Sequence, residues 1–184
     1  KNTTGYSLNA LIDFEDPIEV ILHLMVGSEG TLGFISEAAF TTVPVKPYRA
    51  SALIYFRDLY SACEAVPRLR EAGVPAIEIM DREALRSVEE QSGIPPYIRE
   101  FGEGVTALLI DLESASRESL HQLINETEKA LTGFSLVRDF EVTDDPKQIA
   151  AYWNVRKGVF PSVGGMRKPG TSVIIEDIAV REEH

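Results

Sequence analysis

The sequence predicts an α+β protein in which four strands and two helices follow one another as βαββαβ. Three observations carry that expectation. Segments that read as strands stand at Ala52 to Phe56, Ala76 to Met80, Val105 to Leu112 and Leu136 to Val142. Helical spacing of apolar residues fills the first and third gaps, from Asp58 onward and along Leu120, Leu123, Ile124 and Leu131. With 44% hydrophobic and 26% charged residues, the 184-residue chain has enough apolar material for a core and too much for disorder. Treating a short helix from Asp81 to about Glu90 as a connection gives the ferredoxin-like arrangement, an antiparallel sheet backed by two helices.

Composition also excludes several functions. Eighteen Lys and Arg against 29 Asp and Glu leave a net charge of −11, which repels polyanions and argues against nucleic acid and anionic membrane surfaces. The longest apolar stretches, such as Ala107 to Ile110, fall far short of the roughly 20 residues a membrane helix needs. Cys63 is the single cysteine, so neither an internal disulfide nor a cysteine-based metal cluster can form within the chain. A cytoplasmic home fits these features. The first residue is Lys1 and no leader pattern precedes the folded part, so the chain reads as an excised fragment whose ends cut through larger domains.

In chain order, Asp16-Pro17-Ile18-Glu19 reads as a helix start, with Asp16 as cap, Pro17 at the first helical position and Glu19 completing a capping box. Ile18, Ile21, Leu22 and Met25 give that helix one apolar face, Gly27 ends it, and Phe34 to Val43 reads as extended. Pro44 and Pro47 place a domain boundary near residues 44 to 49. Pro67 is expected to kink or divide the helix that starts near Asp58. Cys63 is read as packing beside Leu59, Val66 and Leu69. The last helix has Asp145 as cap, Pro146 in the first turn, a face of Ile149, Tyr152 and Trp153, and Gly158 just past its end. A glycine-rich turn around Gly164, Gly165 and Gly170 leads into a buried strand from Ser172 to Val180.

Two places could carry chemistry. The loop from Gly27 to Gly33 holds three glycines in seven residues, which permits positive φ and lets a ligand approach bare backbone amides. It lacks the Gly-Lys-Ser/Thr of a phosphate loop and the spacing of a dinucleotide fingerprint, so spacing alone leaves open a tight structural turn or a ligand site. Arg156 falls on the stripe of Ile149, Tyr152 and Trp153, where a charge needs water or an anionic partner. The residues allow either a cation that complements the helix C-terminus or a group that grips an anion. His23 and His121 do not stand at metal-site spacing, and the adjacent Glu176 and Asp177 would point to opposite faces of a strand.

Lys1-Asn2-Thr3-Thr4-Gly5-Tyr6 followed by His23-Leu24-Met25-Val26-Gly27-Ser28-Glu29-Gly30-Thr31-Leu32-Gly33-Phe34-Ile35 resembles the end of the flavin-binding domain in FAD-linked oxidases of the vanillyl-alcohol oxidase type. Trp153-Asn154-Val155-Arg156-Lys157-Gly158 with Ile175-Glu176-Asp177 resembles the substrate domain of the same family, as in D-lactate, glycolate and D-2-hydroxyglutarate dehydrogenases. The likeness is greatest to the long bacterial members that add an iron–sulfur domain. Residues 1–47 would then be the C-terminal part of an FAD-binding domain, and residues 48–184 the N-terminal part of a substrate-binding domain.

The resemblance implies a flavin-dependent dehydrogenase that oxidises a D-2-hydroxy acid and passes electrons to an acceptor these residues do not specify. It places Thr4, Gly5, Glu29, Gly30, Thr31, Leu32, Gly33 and Ile35 along the FAD and assigns the substrate carboxylate to Arg156, whose planar fork can give two parallel charge-assisted bonds. It puts the metal-binding histidines, the Glu-His pair for proton abstraction and any iron–sulfur cluster outside this chain, so no catalytic residue is expected within it. The isolated chain is expected to be colourless and inactive, and peripheral contact with the inner membrane would come only through the acceptor. Ile174, Ile175 and Glu176 stand where the resemblance places, in the 2-hydroxyglutarate enzymes, a lysine for the distal carboxylate, which speaks against that substrate. A flavin-dependent alcohol oxidase, an ether-lipid synthase on the same scaffold, and a non-catalytic ligand-sensing or dimerisation module remain alternatives.

Overall fold

The computed structural model describes residues 5–91 and 94–171. Thr4 and the expected strand from Ser172 to Val180, with Glu176 and Asp177, lie outside them. The described residues divide into two compact units, one up to Val43 and the other from Pro44.

The first unit holds two short helices. Helix α1 is Ala10–Asp13 and α2 is Pro17–Met25, and they pack against each other. Asp16 caps α2 by accepting from the Ile18 amide at 2.9 Å, which satisfies one of the donors a helix start leaves free. Phe34 to Val43 forms no strand. An extended run needs a hydrogen-bonding neighbour, and none pairs with it among the described residues.

The second unit is a three-stranded antiparallel sheet of β1 (Tyr48–Phe56), β2 (Ala76–Met80) and β3 (Thr106–Ser114), in spatial order β1-β3-β2. Its register sets Ile54 opposite Leu108, Leu53 opposite Leu109, and Ile77 opposite Ile110. Helices α3 (Leu59–Glu71) and α5 (Arg117–Ala130) start on caps from Asp58 and Ser116. They cover the face made by Ala50, Ala52, Ile54, Phe56, Leu108, Ile110 and Leu112. The opposite face, made by Leu53, Tyr55, Ala107 and Leu109, is also buried, under α4 (Arg82–Val88), the 3-10 turn Pro96–Glu100 and α6 (Pro146–Met166). The central strand therefore reads as a nearly unbroken apolar run because both its faces are inside.

The expected fourth strand is reduced to two bridges, Phe56 with Leu136 and Ser51 with Thr143. They place the segment beside β1 and give the ferredoxin-like order. Between the bridges β1 advances five residues (56 − 51) while the edge segment advances seven (143 − 136). Two surplus residues break the ladder, as a bulge does. Arg138 leaves the alternation in that stretch, its guanidinium 3.9 Å over the Tyr97 ring, while Leu136, Phe140 and Val142 pack on the first core.

Three local expectations need correction. Helix α3 runs unbroken through Pro67. Pro67 and Cys63 are both exposed, so the Cys63 carbonyl freed by the missing N–H faces water. The same exposure removes Cys63 and Leu59 from the apolar stripe, which consists instead of Ala62, Ala65, Val66 and Leu69. Helix α6 passes Gly158 and includes Gly164 and Gly165. Gly158 is a point of close approach: a β-carbon there would stand 3.2 Å from the Gln91 amide, which donates to Ser162 Oγ at 3.2 Å.

Candidate functional site

In the first unit the glycine-rich loop leaves α2 through Gly27 at φ 80°, and Glu29 and Gly30 follow at φ 50° and 79°. Glu29 is the non-glycine residue with positive φ among the described residues. That geometry is strained for a side-chain-bearing residue and recurs at ligand-contacting turns. The buried Ser28 anchors the loop, its carbonyl accepting from the Thr31 amide at 3.0 Å and from Thr31 Oγ1 at 2.6 Å. The Tyr6 hydroxyl bonds Thr31 Oγ1 at 2.8 Å, and Ser7 Oγ donates to the Val26 carbonyl at 3.1 Å. The opening turn with Gly5 and the loop with Thr31 are thus brought together, although 25 residues separate Tyr6 from Thr31.

The loop is open on the side where a ligand would lie. A β-carbon on Gly30 would meet nothing within 4 Å, and the amides of Glu29 and Gly30 donate to no backbone group among the described residues. Leu32 and Ile35 are exposed. Bare amides beside an apolar edge can take a ligand that presents both acceptors and apolar surface. Gly33 also lies close to α2: a β-carbon there would stand 3.2 Å from Met25 Cε.

In the second unit Arg156 lies on the flank of α6. Ile149 and Val155 are buried and Tyr152 and Trp153 partly so, whereas the Arg156 side chain is 47% exposed. Its Nη2 stands 3.1 Å from Glu78 Oε1 on β2. The expected place on the apolar stripe is not observed: in that turn Val155 is the buried residue, and Arg156 turns toward solvent and Glu78. The helix-end reading also falls: α6 continues to Met166, ten residues past Arg156 (166 − 156), beyond the last turn where the helix dipole acts.

A polar group that sequence reasoning misses sits at the start of the sheet. Asp111, 4% exposed in the middle of an apolar strand, accepts from Arg49 Nε at 2.7 and 2.9 Å and from Ser51 Oγ at 2.7 Å. The hydrogen bond that Arg49 donates to Asp111, opposed by partial burial, raises the Arg49 pKa above the ordinary arginine value. A signal for it exists, since a charge inside an apolar strand requires a partner and the register places Ser51 directly opposite. Arg49 also borders a cleft of about 510 Å³ with Asp144, Trp153, Asn154 and Lys157. On the same side of the sheet the Tyr55 hydroxyl is buried without a full hydrogen bond among the described residues. Burial pushes that phenol far above its ordinary range, and the nearby Tyr97 adds to the rise.

Among the described residues no group of three or more His, Cys, Asp or Glu could hold a metal ion. No helix there is long and apolar enough to cross a membrane.

The chain is 28% identical over 167 residues to a D-lactate dehydrogenase of Anaerostipes hadrus, covering 89% of this chain and 32% of that protein. It is 28% identical over 196 residues to a D-2-hydroxyglutarate dehydrogenase of Pantoea ananatis, covering 98% of this chain and 19% of that protein. A mitochondrial D-lactate dehydrogenase (cytochrome) of Kluyveromyces lactis is 26% identical over 98% of this chain and 29% of its own length. The chain thus spans about a third or less of these curated relatives. In fold it is similar to an alkyldihydroxyacetonephosphate synthase, with a TM-score of 0.53 and 19% identity over 78% of this chain and 28% of that one. Residues 45–184 match the family described as FAD linked oxidases, C-terminal domain, and the chain belongs to that family.

Proposed function

We propose that this chain is part of an FAD-dependent dehydrogenase that oxidises a D-2-hydroxy acid of the D-lactate kind. The observation that carries the reading is Arg156, a half-exposed guanidinium away from any helix end, within the Trp153-to-Arg156 spacing of a chain that belongs to the FAD-linked oxidases. Relatives named as D-lactate and D-2-hydroxyglutarate dehydrogenases support the substrate class. In this reading residues 1–47 complete a flavin-binding domain and residues 48–184 begin the substrate domain. The electron acceptor, any iron–sulfur cluster and any metal belong to other parts of the protein.

Thr4, Gly5, Glu29, Gly30, Thr31, Leu32, Gly33 and Ile35 would hold the flavin, chiefly through backbone amides and the exposed Leu32 and Ile35 edges. When bound, FAD supplies the acceptor for the hydride that leaves the carbinol carbon. Arg156 binds the substrate carboxylate and fixes the orientation of that carbon, so that two electrons and the hydrogen leave in one direction. The hydroxyl proton goes to a base outside this chain, and the carbinol becomes a keto group.

Replacing Arg156 with Met in the full-length enzyme tests this. Charge-assisted hydrogen bonds contribute about 1.5 to 3 kcal/mol. The expected loss is about ten- to 150-fold in kcat/KM for D-lactate with unchanged flavin content, at 1.4 kcal/mol per factor of ten. Lys should restore only part, since it brings charge without the fork. Near-normal kcat/KM in Arg156→Met would remove the assignment.

A further inference from the structure

We infer that Glu78 sets the charge preference of the Arg156 site and favours a substrate with one carboxylate over one with two. The inference rests on the reading of Arg156 as the carboxylate-binding residue.

Glu78 lies on the edge strand β2, in register with Leu109 on β3. Side chains alternate along a strand, so Glu78 shares its face with Met80, which belongs to the second core under α6. A carboxylate on that face has apolar neighbours, and its side chain is only 35% exposed. Its field is therefore screened less than that of a fully solvated charge. Among the described residues its ion-pair partner is Arg156, held through one nitrogen, Nη2, at 3.1 Å.

That single-point contact has two consequences. A guanidinium offers five N–H donors, two of them on Nη2, so after the contact with Glu78 one N–H of Nη2 and the nitrogen beside it can still take a ligand carboxylate in a bidentate grip. The Glu78–Arg156 pair is already neutral before any ligand arrives. A monocarboxylate brings the group to a net charge of −1 and a dicarboxylate to −2. The second carboxylate of the latter finds no counter-charge in this pair and meets the repulsion of Glu78. Exclusion of a near relative of the substrate by a fixed like charge is an ordinary route to specificity. If Glu78 served only to hold the Arg156 side chain in place, its loss would weaken both classes of acid by the same factor.

The experiment uses the full-length protein, with pyruvate and 2-oxoglutarate as mono- and dicarboxylate probes. Their dissociation constants are measured by calorimetry, alongside kcat/KM for D-lactate and D-2-hydroxyglutarate. Glu78→Gln should shift both ratios by about three- to tenfold toward the dicarboxylate, the size expected for one partly screened charge. Glu78→Asp keeps the charge and should leave both ratios within about twofold of wild type. Equal changes for the two acids in Glu78→Gln would overturn the inference and leave the role of Arg156 standing, provided Arg156→Met still weakens binding of both probes. Unchanged binding of both probes in Arg156→Met would sink the carboxylate reading itself, and the inference with it.

Discussion

The two units handle their apolar residues in opposite ways. In the second unit both faces of the sheet are covered, and Leu108, Leu109, Ile110 and Leu112 reach 0% exposure. In the first unit Ile12, Phe34, Phe40 and Val43 are all more than 80% exposed, and its buried residues among those described are Ala10 and Ser28. The sheet is held by burial of apolar area, at roughly 25 cal/mol per Å². The loop region is held by a few hydrogen bonds that pass through Thr31 and Ser28. A surface rich in apolar side chains, beside strained and bare backbone, is suited to contact with something else. In the proposed reading the second unit supplies rigidity and the first a binding wall.

The largest test of that division is Leu109→Ala. The side chain is fully buried in the second core, and truncation should cost about 2 to 5 kcal/mol in chemical denaturation. A cost under about 1 kcal/mol would mean that the second face is packed far more loosely than its burial indicates.

Gly30→Ala probes the other unit. Its φ of 79° strains any residue with a β-carbon, at about 1 to 2 kcal/mol, although the space beside it is open. Flavin content of the full-length protein, read from the visible absorbance of the purified sample, should fall, while the melting of the sheet unit should stay where it was. A full flavin complement with a lowered sheet transition would reverse the roles assigned to the two regions.

The smallest effect belongs to Tyr55→Phe. Removing a buried hydroxyl that lacks a full hydrogen bond should leave stability within about 1 kcal/mol or raise it. A clear loss would show that the hydroxyl has a partner in the folded protein.

Most of the sheet unit is legible in the sequence because its signals are local. Asp58, Asp81, Ser116 and Asp145 each stand immediately before a helix and cap it, and each bonds an amide two or three residues on. The limits of β2 are legible because Ala76, Ile77, Ile79 and Met80 stand between Pro75 and Asp81. The failures have one cause, which is that helix and strand ends depend on neighbours distant in sequence. Gly158 reads as a stop, yet Gln91 gives it a reason to lie within a helix. Leu136 to Val142 reads as a strand, but the spacing of its two contacts with β1 forbids a regular ladder.

The candidate site divides in the same manner. Residue type and spacing point to the glycine-rich loop and to Arg156, because positive φ favours glycine and carboxylate recognition suits a guanidinium. Glu78 cannot be reached that way: it lies 78 residues from Arg156 (156 − 78), within a strand that reads as ordinary. Asp111 is visible as an anomaly, but its partnership with Arg49 depends on a strand register formed only in the assembled sheet. Local chemistry is written in the chain because caps, turns and periodicity act over a few residues. Which charges meet is decided by packing, because the field of a charge falls with distance through space and takes no account of distance along the chain.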